Sequence, residues 1–214
     1  MESVIFLEKI SIEPPREKIY QRLGFKKRIT AVSPDQQKQT DLFIREAASL
    51  IVLKGMYLRL AVTKNDGKQI FLSNNVHFSS EHLSIFLREC REAVFMGATA
   101  GHAVMDAIKE KTRQDDLAAA VVYDATASEM TDAALDWIMN YLNHLLMREG
   151  QTLLPRRFSA GYGDFHLENQ GIIYKQLHMQ NAGVKINPNF ILIPEKSVTA
   201  IGGKHAAACQ TIEV

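Results

Sequence analysis

Residues 56–73, Met-Tyr-Leu-Arg-Leu-Ala-Val-Thr-Lys-Asn-Asp-Gly-Lys-Gln-Ile-Phe-Leu-Ser, decide the fold class. Two strand-like runs, 56–63 and 68–73, flank Lys64-Asn65-Asp66-Gly67. Asp-Gly between apolar runs is a strong hairpin signal, because both residues tolerate positive φ. Helical stretches lie on either side of this hairpin. A hairpin set among helices predicts an α+β protein: a twisted, mostly antiparallel sheet with helices around it.

Upstream, the β-branched and apolar mixture of residues 4–12 reads as a strand stopped by Pro14-Pro15. Pro15 suits the start of a helix over 16–23, closed by Gly24. Ser33-Pro34-Asp35 opens a second helix to Leu50, with Ser33 as its cap. Downstream, Ser79 or Ser80 caps a short helix through Leu87. Ala93, Val94, Phe95 and Met96 form the continuous apolar centre of a buried strand over 92–98. Residues 99–102 then lead into a helix through Glu110. From Leu117 to Met147 there is neither Pro nor Gly, and Leu135, Ile138, Leu142 and Leu145 recur at helical spacing, so one long helix is expected. Gly150 ends it. A loop over 155–164, a helix over 167–179 and strands over 190–193 and 197–201 complete the reading. No repeat, low-complexity tract or long linker interrupts the chain, so one continuous domain is expected, with 1–90 as its helical and hairpin part, 91–203 as its core and 204–214 as a tail.

A formal net charge of +1 over 214 residues gives no bulk electrostatic reason to expect a nucleic-acid or anionic-membrane partner. The pair Cys90 and Cys209 makes neither a disulfide framework nor a zinc ligand set. Glu8 and Lys9 interrupt the apolar start, which lacks the layout of a signal peptide, and no apolar run approaches the roughly 20 residues of a membrane span. These features together predict a soluble, cytoplasmic protein.

Chemistry concentrates in Arg156-Arg157-Phe158-Ser159-Ala160-Gly161-Tyr162-Gly163-Asp164. Glycine admits backbone close to a ligand, arginine offers a planar fork for carboxylate or phosphate, and tyrosine provides a flat face with one polar tip. On spacing alone, a tight glycine turn with solvated arginines outweighs a ligand loop. Asp124, Glu129, Asp132 and Asp136 lie early in the long helix, the last three on one face. A carboxylate there could hold a ligand amino group, although a solvated face outweighs that reading too. The histidines, at 77, 82, 102, 144, 166, 178 and 205, show no metal-ligand spacing. Nothing matches a phosphate-cradling or dinucleotide fingerprint.

Several blocks in order carry a resemblance: Ala98-Thr99-Ala100-Gly101-His102, Asp124-Ala125, Asp132-Ala133, Arg157 to Asp164 with Leu167-Glu168 and Gln170 behind it, and Pro194-Glu195-Lys196-Ser197-Val198-Thr199-Ala200-Ile201. Over residues 90–203 the chain resembles the activation domain of cobalamin-dependent methionine synthase, in a stand-alone form; residues 1–90 match only in general shape. The resemblance implies S-adenosylmethionine as methyl donor, with 91–203 as its binding core. It also implies a methyltransferase role in trans: reductive methylation of cob(II)alamin on a separate, corrinoid-binding methionine synthase chain. Electrons would come from a flavodoxin- or ferredoxin-type donor, since no flavin or iron–sulfur pattern is present.

Residue by residue, Arg157 stands where the family holds the methionine carboxylate. Asp132 stands where a longer glutamate lies near the amino group. Ser159 and Gly161 stand at positions of backbone contact and close approach. Tyr162, the implied catalytic residue, stands where ligand and corrin meet. Gln151 replaces one family carboxylate, which implies weaker binding. Two alternatives stay open: a non-catalytic module that docks on a corrinoid protein, and a reactivator of a corrinoid protein in another methyl-transfer pathway.

Overall fold

The computed structural model describes residues 3–26, 29–31 and 33–205; Cys209 and most of the expected tail lie outside them. The hairpin forms where its sequence placed it. Strands β2 (Lys54–Asn65) and β3 (Gln69–Leu72) pair antiparallel across a turn in which Gly67 alone takes a left-handed φ, +89°. Asp66 works through its side chain instead: its carboxylate accepts the N–H of Lys68 at 3.1 Å and of Gln69 at 2.8 Å. Asn65 accepts the Gly67 N–H at 3.0 Å. The short polar side chains thus stand in for backbone partners.

Among the described residues, the sheet has six antiparallel strands in the order β4 (His77–Ser79), β3, β2, β5 (Cys90–Thr99), β8 (Ser197–His205), with β1 (Ile5–Leu7) paired to β2 beside that path. Strand β1 (Ile5–Leu7) covers the beginning of one β2 edge at Gly55 to Tyr57, and β3 covers its end at Val62 to Asn65. The long strand expected over 4–12 is therefore cut to three ladder residues. The chain then peels away, donating only from Ile10 N–H to the Leu53 carbonyl. On the other edge β2 pairs with β5 (Cys90–Thr99), which pairs in turn with β8 (Ser197–His205). Strand β4 (His77–Ser79), too short for a pattern, forms one end of the sheet.

Both faces of this sheet are covered, which is why β5 reads as an unbroken apolar run. One face, with Met56, Leu58, Leu60, Ala93, Phe95 and Ile201, packs under Phe165, Ile173, Leu177 and Met179. The other, with Tyr57, Val94, Met96, Ala98 and Ala200, packs on α5 (Leu117–Met147) through Met130, Ala134, Leu135, Ile138, Leu142 and Leu146. That helix has the bounds its sequence predicted, capped by Asp116. Further apolar positions of α5 seat α1 (Arg16–Arg22) and α2 (Pro34–Leu50): Ile19 and Ile44 close on Val122 and Ala125. Ser33 caps α2 as expected and forms a full capping box with Gln36. Helix α3 (Glu81–Phe86) is capped by Ser80, while Ser79 belongs to β4. Helix α4 (Ala103–Arg113) runs one turn beyond the expected end and packs on α5.

Two expectations near the C-terminus change. The helix over 167–179 is shorter, α6 (Asn169–Gln176), because His178 turns left-handed at φ +49° and a 3₁₀ turn (Met179–Ala182) follows. Phe190 is also left-handed, at φ +60°, and belongs to no strand. Only Leu192–Ile193 (β7) is extended there, paired with Lys185–Ile186 (β6). No helix among the described residues is long and apolar enough to cross a membrane.

Candidate functional site

The loop from Leu153 to Asp164 is laid along β8 rather than left free. Leu154 N–H donates to the Gly203 carbonyl at 2.8 Å, and Phe158 and Ile201 exchange both backbone hydrogen bonds, at 2.8 and 2.7 Å. Ser159 Oγ donates to the Thr199 carbonyl at 3.0 Å. This pairing places Arg157 and Ser159 between β8 and α5, on the rim of a cleft of about 470 Å3. Asp132 and Leu135 of α5 line it, with Ser159, Tyr162, Gln170 and Thr199. That volume falls in the roughly 300–1,000 Å3 range of small-molecule sites.

Asp132 and Arg157 are the charged groups of the lining, and they pair: Arg157 Nη2 donates to Asp132 Oδ1 at 2.9 Å. The guanidinium is only 18% exposed while Asp132 keeps 48%, so the cation is set into the wall and the acid faces out. Arg157 Nη1 pairs with Asp136 as well, one turn further along α5. Partial burial pushes the Asp136 carboxyl up. The hydrogen bond and charge of Arg157, and then those of Lys18, more than offset this and hold it below the usual carboxylate range.

The acidic face of α5 is thus not simply solvated. Asp124 pairs with Lys196 at 2.7 Å, Glu129 with Arg22 at 2.6 Å, and Asp136 with Lys18 at 3.2 Å as well as with Arg157. Apart from Arg157, these basic partners come from α1 and from the segment before β8. Neither shared a sequence pattern with α5.

Tyr162 stands at the tip of a rigid turn. Gly161 N–H donates to the Phe165 carbonyl at 2.7 Å, Phe165 N–H donates back to Tyr162 at 3.0 Å, and Phe165 is fully buried against Phe78 and Phe158. Gly163, at φ +57°, lies so close under His82 that a Cβ would come within 2.2 Å of its Nδ1. Gly161 is left-handed at φ +93°, a conformation the turn's backbone reserves for glycine, and it is not among the residues lining the cleft. Asp164 completes the anchor by accepting Ser80 Oγ and Glu81 N–H, both at 2.6 Å, at the start of α3. Those donors hold its carboxyl below the usual range. The result is a tyrosine 69% exposed on a backbone with little freedom.

Gln170, which stood behind the tyrosine block in the resemblance without a role of its own, is a lining residue. Its Nε2 donates to the Phe190 carbonyl at 2.5 Å, and its Oε1 accepts from Thr199 Oγ1 at 3.2 Å. The left-handed Phe190 is what turns that carbonyl toward α6. Gln151 lies outside the cleft lining, with its side-chain oxygen buried and unpaired. Cys90 is buried, which pushes its thiol up to about 11 and keeps it unreactive. Among the described residues no group of His, Cys, Asp or Glu could hold a metal ion.

No family model matches the chain, and no curated protein matches it in sequence. A solved structure does: the crystal structure of the MetH reactivation domain bound to AdoHcy aligns over 96% of this chain and 79% of its own, with a TM-score of 0.71 at 13% identity. The chain has the fold of the methionine synthase reactivation domain. The curled antiparallel sheet and its surrounding helices are the shared architecture, and at 96% coverage the match takes in most of the first ninety residues, where the sequence resemblance was only general.

Proposed function

We propose that the cleft binds S-adenosylmethionine and that the chain supports reductive methylation of cob(II)alamin held by a separate methionine synthase chain. One observation carries this reading: an acid–base pair, Asp132 and Arg157, lines a cleft rimmed by exposed Tyr162, in a fold whose solved counterpart holds AdoHcy. An α-amino-acid headgroup is a zwitterion and complements that pair group for group: carboxylate to Arg157, ammonium to Asp132. The ligand would insert between two charges that already neutralise each other, so no charge is stranded in either state. Ser159 and Gln170 are held by Thr199 and Phe190 and offer fixed polar contacts to the remainder of the ligand. Tyr162 would cover the sulfonium where it meets the corrin, its ring face suited to a cation.

The corrinoid, carried by the partner, would supply a reduced cobalt whose electron pair accepts the methyl group as the sulfonium C–S bond breaks to leave a neutral thioether. A flavodoxin- or ferredoxin-type protein would deliver the electron. Calorimetric titration with S-adenosylmethionine, alone and beside a cobalamin-loaded methionine synthase chain, tests this; absence of binding in both overturns it. Binding also raises the unfolding midpoint: ligand at a hundred times its Kd stabilises by about 2.7 kcal/mol. Binding without transfer of a labelled methyl group to the corrinoid would favour a non-catalytic docking module.

A further inference from the structure

Arg157 lines two clefts. Besides the ligand cleft it lines a second one of about 330 Å3, together with Asp136, Met139, Pro155 and Arg156. Asp132 lines the first and Asp136 only the second. The two aspartates follow one another by a turn of α5, so they meet the guanidinium on successive nitrogens, Asp132 at Nη2 and Asp136 at Nη1. The other oxygen of Asp136 accepts from Lys18 Nζ of α1 at 3.2 Å, so this carboxylate is itself held from two sides. With Nη1 occupied by Asp136, Nε is left without a protein partner among the described residues, and Nη2 meets only the half-exposed Asp132.

A guanidinium on a flexible stem must be held in one plane before two of its N–H groups can meet a carboxylate together. We propose that Asp136 is a positioning residue: by gripping Nη1 from outside the ligand cleft, and being gripped by Lys18 in turn, it sets the plane of Arg157 so that the Nε–Nη2 edge meets the carboxylate of an amino-acid headgroup. This rests on the reading of the cleft as an S-adenosylmethionine site. Asp136 touches no ligand. It gives the N-terminal helix α1 a part in binding, through Lys18, that neither its distance in sequence nor its composition suggests.

The test uses two nucleosides, AdoHcy and methylthioadenosine, which share adenosine and sulfur but differ in the amino-acid headgroup. Each is titrated into the whole chain, its Asp136→Asn and Asp136→Glu variants, and Lys18→Met, with thermal midpoints to check the fold. Asp136→Asn weakens AdoHcy by about tenfold, since a charge-assisted hold on the arginine is lost, and leaves methylthioadenosine within about twofold. Asp136→Glu, which keeps the carboxylate, recovers most of the affinity; Lys18→Met weakens AdoHcy by a smaller factor with the same selectivity. Equal weakening of both nucleosides, or no recovery with glutamate, makes the role merely structural and overturns the proposal. Unchanged AdoHcy affinity in Asp136→Asn overturns it while the cleft's assignment stands. A wild-type chain that binds neither nucleoside overturns the assignment itself.

Discussion

Arg157 and its two aspartates gather most of what is specific to this molecule into a few side chains. Arg157→Ala is expected to remove measurable AdoHcy binding by calorimetry. The fold should survive: Asp132 and Asp136 are nearly half exposed and water can solvate them, so the stability cost stays below about 1 kcal/mol. Tyr162→Phe should slow methyl transfer more than it weakens donor binding; equal loss in labelled-methyl transfer and in calorimetry would remove the hydroxyl from the meeting point. The depressed Asp136 carboxyl gives a pH signature. A carboxyl whose folded pKa lies below its unfolded value of about 3.9 stabilises the protein above that value and loses the contribution as pH falls through the folded pKa. Thermal midpoints of the wild type should therefore drop more steeply below about pH 4 than those of Asp136→Asn.

At the level of elements, the turn carrying Tyr162 owes its rigidity to α3. Ser80 serves twice, accepting Leu83 N–H at 3.0 Å as helix cap and donating to Asp164 at 2.6 Å. Ser80→Ala removes both at a buried position and should cost about 1–2 kcal/mol in denaturant unfolding. The cap itself was legible, although the choice between Ser79 and Ser80 was not: only strand pairing of 77–79 with β3 assigns Ser79 to the sheet. Long helix α5 and capped α2 were read with correct bounds because their signals are local. Apolar periodicity without Pro or Gly marks α5, and Ser33-Pro34 marks the start of α2, so each signal lies within or beside its own element. The helix over 167–179 was overread because His178 takes a left-handed conformation that its own side chain does not announce.

Over the whole molecule, the division of the chain at residue 90 does not divide the sheet. Strand β5 pairs from Lys54↔Thr99 to Ala61↔Glu92 with β2, so a chain of residues 91–205 loses the neighbour on one side of its most buried strand. That fragment is expected to show no cooperative unfolding transition by circular dichroism; a folded fragment would mean that β5 and β8 with α5 are self-sufficient. The sequence by itself determined the hairpin, the long helix, the buried character of β5 and the charged types in the Arg157 block, because each depends on neighbours within a few turns or a few strand residues. Only the tertiary structure decided which acid meets which base, that α1 reaches the site through Lys18, and that Gln170 enters the cleft on the carbonyl of a left-handed Phe190. Those pairings join residues tens of positions apart, and their geometry exists only after the sheet has brought α5, β8 and the tyrosine loop side by side.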